Sequence, residues 1–197
     1  MARYLLAATA ALAALSLVSC NKKTETQGAA PPAEQAAVPS ANPAVTVPTP
    51  ANEAAAVDFV PKAGASDMYE VEAGKLAEGR ATSPAVKKFA AMMVADHTKS
   101  SDALKKALAE SGQPLSLPTV MPDDLRGKLG DLTKVEAKGF DKAYMDGQVD
   151  AHQAALDLLQ RYAQDGDVAA IKAWAAATAP TVQKHLDIAR TDRDALK

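Results

Sequence analysis

The stretch FAAMMVADHTKSSDALKKAL, residues 89–108, carries the pattern that decides the fold. Apolar side chains recur at helical spacing through it and just before it, at Val86, Phe89, Met93, Leu104 and Leu108. His97 lies on the same stripe, four residues after Met93. The stretch therefore predicts an amphipathic helix with one polar side chain among its core-facing positions.

Other segments of the chain show the same periodicity. Together they predict long helices over residues 58–79, 84–111, 133–164 and 167–196, with a short helical piece over 123–128. No run of residues reads convincingly as a strand. Long amphipathic helices joined by short turns are typical of bundles, so the sequence predicts an all-α, up-down-up-down four-helix bundle.

Turn residues mark the ends of these helices. Ser83 and Asp167 follow turns and are expected to be N-caps, and Gly112 ends the second helix. Pro180 falls inside the last helix, where an interior proline costs about 3 kcal/mol. The apolar phase continues across Pro180, which favours one kinked helix over two separate ones.

The N-terminal residues predict export. Residues 1–19 have an early arginine, an apolar run and a small-residue exit, which is the layout of a secretory signal. The ending Leu17-Val18-Ser19-Cys20 resembles the lipobox of bacterial lipoproteins, which implies lipidation at Cys20. Asn21 stands where many bacteria place an aspartate that retains a lipoprotein in the inner membrane. By that resemblance, the protein is expected on the outer membrane, facing the periplasm.

Composition divides the rest of the chain. Residues 20–57 are rich in proline and alanine and predict a disordered tether, which leaves residues 58–197 as one folded domain. The formal net charge is -2, with acidic and basic residues interspersed, so nucleic acid is not an expected partner. Cys20 is the only cysteine, which excludes an internal disulfide and a multi-thiolate metal site.

Histidines on three different helices are the candidate functional residues. A rise of ~1.5 Å per residue, counted from the two tight turns, places His97 and His152 at similar depth and His185 about one turn deeper. Glu72 lies on the Met68–Leu76 stripe of the first helix, an odd place for a charge, whereas Glu70 is expected to be solvated. Imidazoles and a carboxylate from several helices would together make a candidate site for a single transition-metal ion such as zinc, iron, manganese or copper.

Asp96 and Asp150 precede two of the histidines and are candidates to hydrogen-bond the metal-ligating imidazoles on the side away from the ion. Two alternatives remain open. The histidines are structural if each is held by one carboxylate or carbonyl, or they form a pH-sensitive switch.

Four pieces of sequence carry a family resemblance: GKLA, VKKFAAMMVADH, FDKAYMDGQVDAH and TAPTVQKHL. Together they resemble a bacterial family of ferritin-like domains of unknown function, labelled predicted outer-membrane or periplasmic proteins. The resemblance implies a ferritin-like four-helix fold in the cell envelope and supplies no established activity. Di-iron members of the ferritin-like class use Glu-x-x-His pairs. Here Val94, Val149 and Val182 occupy the glutamate position, which argues against a di-iron centre.

The sequence shows no arrangement of nucleophile, base and orienting group, and the protein is not expected to be an enzyme. It predicts a lipid-anchored envelope protein that binds a protein partner or a small ligand, or that acts as an envelope-stress module. The alternative is a periplasmic metal-binding protein that uses the inward histidines and Glu72.

Overall fold

A computed structural model describes residues 54–196. The described residues form five helices and no strand: α1 (Ala56–Arg80), α2 (Pro84–Ser111), α3 (Asp123–Lys134), α4 (Ala137–Asp165) and α5 (Ala169–Ala195). The all-α prediction is confirmed. The predicted signal sequence, Cys20 and nearly all of the predicted tether lie outside the described residues. Within those residues, no helix is both long and apolar enough to cross a bilayer.

Each of the four long helices packs against two of the others, so that their contacts form a closed cycle. α1 contacts α2 and α4, and α5 contacts the same two helices, while the shorter α3 packs on α1 and α4. α5 continues through Pro180 without interruption, as the unbroken apolar phase predicted. α3 is longer than expected and α4 begins four residues later than expected. A turn at Val135 and Glu136 separates them, with the Arg80 guanidinium donating to the carbonyls of Leu132, Thr133 and Val135.

The apolar core has two halves. One contains Phe59 of α1, Tyr162 of α4 and Trp174 of α5. The other contains Phe89 of α2 and Tyr144 of α4. On α1, α2 and α4, four buried polar residues fall in sequence between the positions that belong to the two halves: Asp67, His97, Gln148 and His152. The fold thus has a polar layer inside an otherwise apolar core.

The predicted caps are replaced by long-range contacts. The Ser83 side chain makes no capping hydrogen bond; instead the Asp141 carboxylate of α4 accepts from the backbone N–H groups of Thr82 and Ser83, at 3.0 and 2.8 Å, and from the Thr82 hydroxyl at 2.6 Å. Asp167 does not cap α5, whose N-cap is Val168. Its Oδ1 accepts from the backbone N–H of Ala56 at 2.9 Å, so it caps the start of α1.

Replacing Asp141 with asparagine is expected to destabilise the domain by about 1 kcal/mol at neutral pH, because a charge-assisted acceptor at a helix start becomes a neutral one. Burial raises the pKa of Asp141, but hydrogen bonds from Thr82 and Ser83 outweigh it, and the pKa lies below its usual 3.8. A carboxyl group whose pKa is lower in the folded than in the unfolded protein stabilises the fold at pH values above its unfolded-state pKa. This stabilisation is lost as the pH falls through the folded-state pKa. The free energies of unfolding of Asp141→Asn and wild type, measured in urea, should therefore differ at pH 7 and converge in acid. An equal difference at both pH values would contradict the role of Asp141 as a charged acceptor at the start of α2.

Candidate metal centre

Three histidines meet in the polar layer of the core. His97 comes from α2, His152 from α4 and His185 from α5, and all three are buried. Their ring centroids are 5.5 to 5.7 Å apart, and one ring nitrogen of each lies within 4.8 Å of those of the other two. His97 and His152 lie at similar depth, as the residue count predicted, whereas His185 lies in the same layer and not one turn deeper.

His97 is oriented by a carboxylate of α1. Its Nδ1 lies 2.8 Å from Oδ1 of Asp67, and the hydroxyl of Ser101 donates to the other Asp67 oxygen at 3.2 Å. Asp67 is itself buried. Because a carboxylate only accepts hydrogen bonds, Nδ1 of His97 carries a proton, and in the neutral form of the ring Nε2 keeps its lone pair.

His152 is oriented by its own helix. Its Nδ1 donates to the backbone carbonyl of Gln148 at 2.9 Å, one turn earlier in α4. The Gln148 side chain in turn donates from Nε2 to Oε2 of Glu70 at 2.7 Å, and the other Glu70 oxygen lies 4.0 Å from Nδ1 of His152. A carbonyl can only accept, so the proton of His152 also resides on Nδ1.

His185 has the opposite orientation. Its Nε2 lies 3.1 Å from Oδ2 of Asp96, a residue of α2. Asp96 is partly exposed and also accepts from Lys99 at 3.4 Å. Asp96 therefore contacts one of the three histidines, and its support of metal ligands stays a prediction.

Each histidine keeps one buried nitrogen without a hydrogen-bond partner within residues 54–196: Nε2 of His97, Nε2 of His152 and Nδ1 of His185. In every case the other ring nitrogen is the one that contacts a carboxylate or a carbonyl. This is the arrangement of metal-binding histidines, where an outer partner holds the N–H and leaves the opposite lone pair for the ion. A buried polar atom without a partner costs about 1–3 kcal/mol, which makes three together unusual unless something binds them.

Burial controls the charge of the cluster. Burial, together with the neighbouring histidines, lowers the pKa of His152 and of His185 to about 4, so both rings are neutral at pH 7. For His97, burial also lowers the pKa, but the hydrogen bond that its Nδ1 donates to Asp67 and the charge of Glu70 outweigh it, and the pKa lies above 6.5. Neutral imidazole is the form that binds metals.

Two sequence-predicted site residues lie elsewhere. The Glu72 side chain is 49% exposed and pairs with Lys75 at 2.8 Å, so the expectation that it faces inward is wrong. Asp150 is also exposed and lines a surface groove between α1, α3 and α4, so it does not support His152. The inward carboxylates of α1 are Asp67 and Glu70 instead.

Near the polar layer, the inner face of α1 consists largely of small residues, so the search for large apolar residues did not identify it. Its buried positions include Ala63, Gly74 and Ala77, whereas Met68 and Leu76 are only partly buried. A side chain at Gly74 would place its Cβ 2.8 Å from a methyl carbon of Val94, so α1 and α2 approach too closely there for larger residues. A search for the alanine and glycine face, instead of the large apolar residues, would have placed Asp67 and Glu70 inside.

Access to the histidines is restricted. The groove between α1, α3 and α4 and a shallower one between α4 and α5 are lined by other side chains. Neither groove offers a substrate-sized molecule a route to the three rings. The arrangement suits a small ion held inside the protein.

Fold and site together define an all-helical protein with a buried three-histidine cluster at the centre of its core. The chain belongs to the family described as Domain of unknown function (DUF4142), whose model matches residues 40–191. No curated protein and no solved structure matches the chain.

Proposed function

We propose that this protein binds a single transition-metal ion in the cell envelope, through Nε2 of His97, Nε2 of His152 and Nδ1 of His185. One observation carries the proposal: one ring nitrogen of each of three buried histidines, from three helices, lies within 4.8 Å of those of the other two, and each ring keeps one nitrogen without a hydrogen-bond partner within the described residues. Structural histidines, the alternative, need no such convergence of unpartnered nitrogens.

The distances fit an ion after a small adjustment. Metal–nitrogen bonds of about 2.0–2.1 Å in tetrahedral geometry place ligand nitrogens roughly 3.3 Å apart. The separations of up to 4.8 Å in the structure would have to shrink by at most about 1.5 Å, which modest side-chain rotations can supply. Imidazole suits zinc, copper, nickel and ferrous iron, and the lack of any cysteine after Cys20 excludes thiolate ligands in the domain.

The architecture that we propose around the ion is an up-down-up-down, ferritin-like four-helix bundle. Three residues separate α1 from α2, and three separate α4 from α5, which favours antiparallel neighbours in both pairs. The closed sequence of contacts among the four long helices supports the same arrangement. The valines that replace each Glu-x-x-His glutamate support a mononuclear site over a di-iron centre.

The envelope location rests on the sequence. Residues 1–19 have the layout of an export signal, and the lipobox-like residues before Cys20 favour a lipid anchor on the outer membrane. The proline-rich residues that follow favour a tether that lets the domain reach into the periplasm. Together with the buried site, these features favour a tethered metal-binding protein without catalytic activity.

Binding of an envelope protein or a small ligand, as in an envelope-stress module, is the second candidate function. The groove between α1, α3 and α4 favours it, since tyrosine and leucine side chains line the groove together with charged residues at its rim. This binding would persist in a His97→Ala variant, because His97 does not line the groove.

Metal content decides the first candidate. Full-length protein, purified without a histidine tag, should retain about one ion per chain after supplementation with zinc, copper, nickel, cobalt, iron or manganese salts and removal of excess metal. Mass spectrometry of the digested protein counts the ions. The Glu72→Gln variant, altered at an exposed carboxylate, is the matched control and should bind equally. Retention of no metal under any of these conditions would overturn the proposal.

A further inference from the structure

The groove between α1, α3 and α4 follows the line where α1 packs on α4, here called the α1–α4 seam. Tyr69 of α1 and Gly147 of α4 line the groove, whereas the residues that follow them, Glu70 and Gln148, are buried in the core. Neighbouring residues of a helix point about 100° apart, so each pair places one residue towards the groove and the next towards the core. Glu70 and Gln148 hydrogen-bond across the seam at 2.7 Å, and Glu70 lies 4.0 Å from Nδ1 of His152. At this level, the seam is what separates the groove from the histidines.

The α1–α4 seam is loosely packed. The contact between α1 and α4 is the least extensive of the four that link the long helices. Gly147 adds no side chain to the seam: outside its own helix, a Cβ built there would find one atom of the described residues within 4 Å, the Tyr69 hydroxyl oxygen at 4.0 Å. The groove in front of it has a volume of about 720 Å³, whereas protein interiors have few voids larger than a water molecule. The bundle is therefore easiest to open at this seam.

A row of polar atoms leads from the groove to the centre. Tyr144, Gln148 and His152 follow one another at intervals of four on α4, which places them on one face of the helix. Tyr144 lines the groove and His152 belongs to the histidine cluster. Each of the three keeps a buried atom without a hydrogen-bond partner within residues 54–196: the Tyr144 hydroxyl, Oε1 of Gln148 and Nε2 of His152. Buried polar atoms of this kind are normally satisfied by ordered water, so the row indicates a polar path through the seam.

The other sides of the bundle suit an ion less well. The groove between α4 and α5 is lined by Leu156 and Ala179, which belong to or pack against an apolar half of the core. An ion that entered there would lose its water without polar atoms to replace it. On the side where α2 meets α5, the His185 ring itself closes the centre, since its Nε2 is held by Asp96 at 3.1 Å. An ion entering there would have to displace one of its own ligands.

We propose, on the basis of the metal-binding function above, that the ion enters and leaves the centre through the α1–α4 seam and that the rings of Tyr69 and Tyr144 are its gate. Both rings line the groove and close its floor, since Tyr69 is 6% exposed and Tyr144 is 1% exposed. The ion passes when the rings turn into the space of the groove, and it then meets the polar atoms of Gln148 and His152. The gate sets the rates of uptake and release and leaves the affinity unchanged, because neither tyrosine is a ligand of the bound ion.

The test measures rates and affinity on one set of full-length proteins with Zn(II) as the ion. Uptake is followed by stopped flow with a fluorescent zinc indicator, release by transfer to an excess of a chromophoric chelator, and the dissociation constant by competition at equilibrium. Gly147→Leu places a side chain in the seam in front of Tyr69. Ala179→Leu is the matched control, because it adds a leucine side chain in the groove between α4 and α5.

Gly147→Leu is expected to slow uptake and release by the same factor, about tenfold or more, because an inserted side chain must be displaced before the ion can pass. Its dissociation constant should equal that of wild type, and the Ala179→Leu control should match wild type in both rates. Tyr69→Ala, which removes one ring of the gate, should speed both rates. Should Gly147→Leu fail to fold by circular dichroism, Ala151→Leu fills the same groove.

Unchanged rates in a folded Gly147→Leu variant would overturn the route, and so would equal slowing in the Ala179→Leu control. A faster release with a weaker dissociation constant would overturn it too, since that result marks damaged ligands and not a closed gate. A wild type that binds no Zn(II) at equilibrium would overturn the metal-binding function for this ion and the route with it, and this result appears before any rate is compared.

Discussion

Replacing His152 with alanine is expected to abolish stoichiometric metal binding while the domain stays folded. Loss of an outer-sphere partner weakens metal sites by about 10–100-fold, and loss of one of three direct ligands should weaken this one further. His152 is the cleanest ligand to remove, since within residues 54–196 its Nδ1 makes one hydrogen bond, to the carbonyl of Gln148, which as part of α4 also accepts a helical hydrogen bond. Metal content by mass spectrometry and helicity by circular dichroism, measured on the same sample, test both halves of the expectation.

His97→Ala serves as the contrasting variant. It should also lose the metal, but among the described residues it leaves the buried Asp67 carboxylate with the Ser101 hydroxyl alone as a partner. Breaking a buried charged pair by removing one member costs about 3–5 kcal/mol, so this variant should also be markedly less stable without metal. Full metal occupancy in His152→Ala would contradict the three-histidine centre. Equal loss of stability in the two variants would contradict the hydrogen-bond roles assigned here.

Helical periodicity was sufficient to predict the histidine layer. The depths of His97 and His152 follow from counting residues back from two tight turns, because the rise per residue of a helix is fixed. The depth of His185 was wrong by about a turn, since α5 begins two residues after Asp167, and a count from the turn takes no account of the offset between packed helices. Long, regular helices make this kind of estimate accurate to about one turn.

The carboxylates of the centre were beyond the same reasoning. Periodicity weights large apolar residues, and the two that defined the predicted stripe of α1, Met68 and Leu76, are only partly buried. Close approach of two helices selects glycine and alanine, which carry little hydropathy signal, so the stripe that holds Asp67 and Glu70 looks neutral in sequence. The cap predictions were wrong for a different reason. Asp141 and Asp167 accept hydrogen bonds from backbone groups at the starts of α2 and α1, 58 and 111 residues away in sequence. Local turn rules contain no information about such long-range contacts.

Phe59→Ala is expected to cause the largest loss of stability, about 3–5 kcal/mol, because it opens a cavity where three helices meet. The Phe59 ring is fully buried, stacks on Tyr162 of α4 with ring centroids 3.9 Å apart, and meets the edge of Trp174 of α5 at 5.9 Å. Domains of this size are stable by only about 5–15 kcal/mol, so the variant would lose a large fraction of the total.

Trp174 is the only tryptophan and lies against the site of this substitution, so its fluorescence during urea unfolding measures the effect directly. Val57→Ala is the matched control: it shortens a side chain on the same helix that is 61% exposed, and a change within about 0.5 kcal/mol is expected. A loss below about 1 kcal/mol for Phe59→Ala would mean that the ring is not a core anchor.

Because Phe59 belongs to the apolar half of the core that holds Trp174 and does not contact the histidines through any aromatic pair, the folded variant should still bind metal in full. Loss of stability with metal binding retained would separate the packing of the core from the chemistry of its polar layer.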